Sequence, residues 1–167
     1  MTNTPYVKNF TLYNNRGQSV LDSELAAWTT KDGSFEIFGP VTHYSWSVGA
    51  INFYIPKLLD ISWHLLPDAT GFICFEKRSE PDNCLLLDVY GKEIARLTVP
   101  WKLTTQKNPK SAFPPTSFWR TSEPYINPVD GKEGEFGVTA WVEYAGMYYF
   151  ELDYKSKIFL WGKEIRD

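Results

Sequence analysis

His43 and His64 are the only two histidines in the 167-residue sequence and the first residues to test for chemistry. Each sits in a strand-like run beside an aromatic residue, His43 before Tyr44 and His64 after Trp63. A two-histidine hydrolase needs both imidazoles converging on one phosphate with a cation nearby, and the local sequence demands no such convergence. A cytosolic hydrolase using His43 or His64 therefore ranks third among the functions considered. Cys74 and Cys84 are too far apart for a CxxC redox or zinc motif. Ile73 and Phe75 flank Cys74, which reads as a core thiol rather than a nucleophile. The two cysteines are expected on neighbouring strands, and reduced. Asp60, Asp68, Asp82 and Asp88 all lie near turns, where a carboxylate bonds the local backbone. A glycosidase would need two carboxylates facing one cleft. The sequence holds no HExxH, no His-x-His, no calcium-loop spacing, no GxSxG elbow and no glycine-rich phosphate loop. The expectation is no catalytic residue, no metal and no cofactor.

Residue types do cluster in one place, the stretch 101–135. It contains Pro109, Pro114, Pro115, Pro124 and Pro128 and few strand-like runs. So long a connection is uncommon in a compact domain and is usually functional or disordered. Phe113, Phe118, Trp119 and Tyr125 have little reason to sit in a solvated linker. Charge is sorted along the stretch: Lys102, Lys107, Lys110 and Arg120 come first, then Glu123, Asp130, Glu133 and Glu135. The basic half with its aromatics offers a weak route to single-stranded nucleic acid by stacking and phosphate contact. A surface loop pinned by its aromatics, with solvated lysines, is the plainer account. A protein interface is the third use, because Trp119, Arg120 and Tyr125 are hot-spot residue types and the four acids can mimic phosphates. Tyr149, on a later strand, is expected to add an exposed aromatic to that interface.

The elements that must carry these residues are mostly strands. Aromatic residues make up 17% of the chain, and they suit a pleated, half-buried surface. Strand-like runs are Phe35 to Phe38, Val41 to Val48, Phe72 to Glu76, Leu85 to Val89 and Ile94 to Val99. A meander follows at Val138 to Glu143, Tyr148 to Asp153 and Lys157 to Trp161. Within Tyr148 to Asp153, Tyr148, Phe150 and Leu152 alternate with Tyr149, Glu151 and Asp153. Turns are expected at Tyr90 to Glu93, at Tyr144 to Gly146 and at Lys155-Ser156. Two short helices are considered, one over Ser19 to Trp28 and one over Pro56 to Trp63. LYNNRGQSV (12–20) overlays LLDVYGKEI (86–94), matching Leu12 with Leu86, Gly17 with Gly91 and Val20 with Ile94. That is tight-hairpin chemistry, read as two independent hairpins. Ile61 to Val99 resembles one β-propeller blade, with Pro67-Asp68 and Asp88 to Gly91 as its turns. No other segment repeats it, so it implies a local unit of three or four antiparallel strands. The expected fold is all-β, or β-rich with one or two short helices. It is an antiparallel sheet, sandwich or partly closed barrel in a single domain, 1–167, with a long loop at 101–135.

Net charge is −3, which disfavours a general polyanion partner. The N-terminus, MTNTPYVKNF, carries no basic run followed by an apolar stretch, and no apolar run is long enough for a membrane span. A cytoplasmic location and no membrane partner are expected. In size, acidity, strand meander and lack of motifs, the chain is similar to small bacterial immunity proteins of contact-dependent inhibition systems. The resemblance implies a non-enzymatic module that binds a cognate toxin, here a basic one, and occludes it. It carries no family residues across. The candidate contacts, Trp119, Arg120, Glu123, Tyr125, Asp130, Glu133, Glu135 and Tyr149, come from the sequence itself. The alternative is a small-ligand or carbohydrate-binding β-barrel with a tryptophan-lined pocket.

Overall fold

A computed structural model describes residues 4–28, 37–77, 80–104, 116–142 and 145–165. Among them, twelve strands form three four-stranded antiparallel sheets. The N-terminal sheet holds β1 (Lys8–Asn14), β2 (Ser19–Leu21), β3 (Val41–Val48) and β4 (Ile51–Pro56), ordered β2-β1-β3-β4. The middle sheet is a plain meander of β5 (Ile61–Leu65), β6 (Phe72–Glu76), β7 (Cys84–Leu87) and β8 (Glu93–Leu97). The C-terminal sheet holds β9 (Ser117–Ser122), β10 (Gly137–Val142), β11 (Gly146–Asp153) and β12 (Ile158–Glu164), ordered β12-β11-β10-β9. The all-β expectation holds. None of the three sheets closes on itself, so the partly closed barrel is replaced by stacked open sheets.

The stacking follows from side-chain alternation. On β3, Tyr44, Trp46 and Val48 point inward and pack with Phe10 and Leu12 against Phe72, Cys74, Leu85 and Leu87 of the middle sheet. The other face of the middle sheet turns Ile73, Phe75, Cys84 and Leu86 toward Val138, Ala140, Tyr148, Phe150 and Leu152. A sheet covered on both faces needs no polar side, which explains the unbroken apolar runs Phe72-Ile73-Cys74-Phe75 and Cys84-Leu85-Leu86-Leu87. Cys74 and Cys84 do lie on neighbouring strands, but they serve opposite faces and different cores. Both are free thiols, and burial pushes both well above the ordinary thiol range.

The two overlaid segments do the same job. Asn14 Oδ1 accepts from the amides of Arg16 and Gln18, each at 3.0 Å. Asp88 Oδ1 accepts from Tyr90 and Lys92, each at 2.9 Å. Gly17 and Gly91 follow at φ +73° and +80°, the left-handed turn that favours glycine. The blade-like segment is the middle sheet. The N-terminal helix expectation survives as a 3-10 turn, Asp22–Ala27. The other does not: Pro56 to Trp63 is the end of β4, a turn and the start of β5. Its leucines are not helix-buried, Leu58 and Leu59 being 62% and 91% exposed. Residues 35 and 36 of the proposed 35–38 strand lie outside the described residues, and Ile37 and Phe38 form no strand. Lys107, Lys110, Phe113 and Tyr144 also lie outside them.

The loop expected over 101–135 is several pieces. A 3-10 turn, Trp101–Leu103, begins it. Ser117–Ser122 then forms β9, an edge strand paired with β10, and residues 125–134 fold into a small hairpin closed by an Ile126–Glu133 bridge. Strand pairing overrides a propensity signal diluted by proline and polar residues.

Candidate protein-binding surface

The eight candidate contact residues do not form one site. Glu123, Tyr125, Asp130, Glu133 and Glu135 belong to the hairpin and its arms. Trp119 and Arg120 line a second groove, Arg120 also sharing a shallow hollow with Glu123 and Tyr125, and Tyr149 lies beneath the surface.

The hairpin is built from local backbone chemistry. Asn127 Oδ1 accepts from the Val129 amide at 2.9 Å, and Asp130 Oδ1 from the Lys132 amide at 2.9 Å. Backbone bonds run from Gly131 N–H to the Asn127 carbonyl (2.9 Å) and from Asn127 N–H to the Lys132 carbonyl (2.8 Å). Gly131 takes φ +73° at the tip. Val129 is 92% exposed there and Ile126 57%, while Asp130, Glu133 and Glu135 are also exposed. Among the described residues, no cation closes an ion pair with these three acids or with Glu123.

What holds the hairpin lies underneath. Tyr149, expected to be exposed, is fully buried and cannot touch a partner directly. Its ring faces away from the core, against Tyr125 at 4.9 Å and Trp161 at 5.3 Å between ring centres. Its hydroxyl donates to the Glu151 carboxylate, which is buried as well. Glu151 Oε2 also accepts from the backbone amides of Glu135 (2.7 Å) and Phe136 (3.3 Å). Burial pushes the Tyr149 phenol far up, and the bond to Glu151 adds to the shift. Two glycines make room: a Cβ on Gly134 would run into the Glu151 carboxylate, and one on Gly137 into the Tyr149 ring. A buried carboxylate is tolerable only when hydrogen-bonded this fully. The apparent alternation of β11, with one wet face, is therefore misleading, because residues 148 to 152 are buried on both faces.

Between the hairpin and the β11–β12 turn runs a cleft of about 540 Å³. Five carboxylates line it, Asp130, Glu133, Glu135, Glu151 and Asp153, against only Lys132 and Lys155. A surface of that sign attracts cations and repels phosphate.

The second hollow, of about 700 Å³, lies between the middle and C-terminal sheets and shares no lining residue with the first. Trp119 and Arg120 enter it from a bulge in β9, where the register with β10 slips at Thr139 and Ala140. Lys57, Leu59, Asp60 and Lys77 line it too. None of these four was a candidate contact in the sequence, because they lie 42 to 62 residues before Trp119 in the chain. Both hollows are open clefts, unlike the deep tryptophan-lined pocket of a barrel.

The two histidines are kept apart. His43 sits on the outer face of the N-terminal sheet, its ring stacked on Tyr54 at 5.0 Å. His64 faces the other core, edge-on to Phe75 at 5.8 Å, and burial lowers its pKa. Two sheets' worth of side chains separate them, so they cannot meet on one phosphate. Among the described residues, no group of three or more His, Cys, Asp or Glu side chains is placed to hold a metal ion. No helix there is long and apolar enough to cross a membrane.

No protein-family model matches the chain, and no curated protein matches it. Among solved structures, it is similar to a chain in the structure of Tne2 in complex with Tni2. The TM-score is 0.58 at 9% sequence identity, over 96% of this chain and 99% of that chain. Likeness at that identity establishes a shared fold along the whole length.

Proposed function

We propose that this chain is a non-enzymatic protein-binding module of the cytoplasm, an immunity protein that binds and occludes a cognate toxin with a basic surface. The observation that carries this reading is the acidic hairpin. Exposed Asp130, Glu133 and Glu135 accompany the exposed apolar residues Val129 and Ile126 on the hairpin, and exposed Glu123 precedes it. The Tyr149–Glu151 clamp fixes the arrangement before any partner arrives. Preorganisation of this kind lowers the ordering cost of binding, and a single-sign patch speeds encounter with an oppositely charged partner. The fold shared with a chain solved in a two-protein complex supports a binding role. Among the described residues the inner faces of the stacked sheets are filled by side chains and the two main hollows are open clefts, which favours a protein partner over the barrel reading.

The test pairs the purified protein with the toxin-like product of the adjacent gene, by calorimetry and by rescue of growth on co-expression. Wild-type protein binds and rescues. Glu133→Lys with Glu135→Lys folds normally, binds at least about tenfold more weakly and loses rescue, a loss of about 1.4 kcal/mol or more. Absence of binding by the wild type, or full affinity in the charge-reversed variant, sinks the proposal.

A further inference from the structure

The groove beside β9 has walls that are fixed as firmly as the hairpin. On one side, the 57–60 turn is tied down by Lys57 N–H on the Thr42 carbonyl (2.8 Å) and by Lys77 N–H on the Asp60 carbonyl (2.6 Å). On the other, the Asn83 side chain, 1% exposed, behaves like a missing strand. Its Oδ1 accepts from Phe118 N–H at 2.8 Å, and its amide donates to the Phe118 carbonyl at 2.9 Å. A further bond from the same amide reaches the Glu76 carbonyl at 2.9 Å. β9 is thus locked one residue before its bulge. An extra residue in one strand re-aims its side chains, and here it turns consecutive residues, Trp119 and Arg120, into solvent.

The groove combines apolar rims with a small excess of positive charge. Leu59 stands at one rim and Trp119, 56% exposed, at the other. Lys57, Lys77 and Arg120 supply positive charge. The acids present are Asp60 and Glu76, and Glu76 already carries the Arg96 guanidinium. A local cationic excess on a chain of net charge −3 selects for the opposite sign.

We propose that this groove docks an acidic, extended segment of a protein partner. An apolar side chain of that segment lies between Leu59 and Trp119, and its carboxylates pair with Lys77 and Arg120. The inference stands on the groove alone and does not need the toxin reading. Tryptophan and arginine are the residues that most often dominate such contacts, and an Arg fork suits carboxylate geometry.

The experiment is an NMR titration of the full chain with two synthetic ten-residue peptides of identical apolar residues. One carries Glu at every charged position and the other Lys. The acidic peptide is expected to shift the amides of Leu59, Lys77 and Arg120 and to leave residues 125–134 unmoved. Its affinity falls with added salt and drops at least about tenfold in both Arg120→Glu and Lys77→Glu, surface changes that leave the fold intact. Glu133→Gln binds it as well as wild type does. Equal binding of the two peptides, no binding of the acidic one, or shifts confined to the hairpin would overturn the proposal. Self-association of the protein alone, abolished by Arg120→Glu, would overturn it in favour of a second copy.

Discussion

The hairpin at 125–134 and the groove at Trp119 arise from one stretch of sequence, yet they are built in different ways. The hairpin is a local object. Its shape comes from Asn127, Asp130 and Gly131, and its attachment from one buried pair on the strand below. The groove is a long-range object whose two walls come from different sheets and meet through Asn83. Their charges are opposite, five carboxylates against two lysines in one and three cations against two acids in the other. Arg120 of the 101–135 stretch thus faces the groove, while Asp130, Glu133 and Glu135 line the cleft.

The comparison is broken most forcefully at the clamp. Tyr149→Ala empties a fully buried aromatic site and leaves the Glu151 carboxylate short of a donor. A loss of about 3–5 kcal/mol in urea unfolding is expected, with hydrogen exchange rising first in 125–136. Tyr149→Phe keeps the packing and removes only the hydroxyl, so it is expected to cost about 1–3 kcal/mol. If neither variant loosens the hairpin before the rest, the clamp does not hold it. Asn83→Ala is the matching cut on the other side. It strands the Phe118 amide and carbonyl, removes the bond to the Glu76 carbonyl, and is expected to cost about 2–4 kcal/mol. Exchange there should rise in β9 and in the 57–60 turn while the hairpin stays protected. Equal loosening of both surfaces would mean that they are coupled through the sheet.

How much of this was legible depends on distance along the chain. Most of the middle sheet could be read because its hairpin turns carry Asp68, Asp88 and Gly91 and its two central strands are unbroken apolar runs. By contrast β5, with Ser62 and His64 in it, overlapped the helix expected over Pro56 to Trp63. The meander from β10 to β12 was equally plain. β9 was hidden because only six residues, with Arg120, Thr121 and Ser122 among them, mark it as a strand. Tyr149 was misplaced for a physical reason. Period-two alternation tells which residues share a face, but not whether the other face is covered, and here residues 125–136 cover it. The signal that could have shown this is the pair Gly134 and Gly137, whose missing side chains admit the tyrosine and the glutamate. The groove had no local signal. Leu59 and Trp119 face the same hollow only because two sheets stack.

The smallest expected effect also separates the two regions. His64 packs on Phe75, which lines the groove, and no histidine lies near the hairpin. Burial holds its folded pKa below the unfolded value of about 6.5. The unfolded chain therefore binds the proton first as pH falls. Stability from this group is full above about pH 6.5 and is lost progressively as pH drops toward the folded pKa. The slope is at most one proton, about 1.4 kcal/mol per pH unit. Urea unfolding of wild type from pH 7.5 to 5 should show that decline, and His64→Gln should remove its histidine component. Exchange near pH 5.5 should then rise on the β5 wall of the groove in wild type but not in the variant, while residues 125–136 behave alike in both. An identical pH slope in the two proteins would show that the imidazole is not held neutral by its packing.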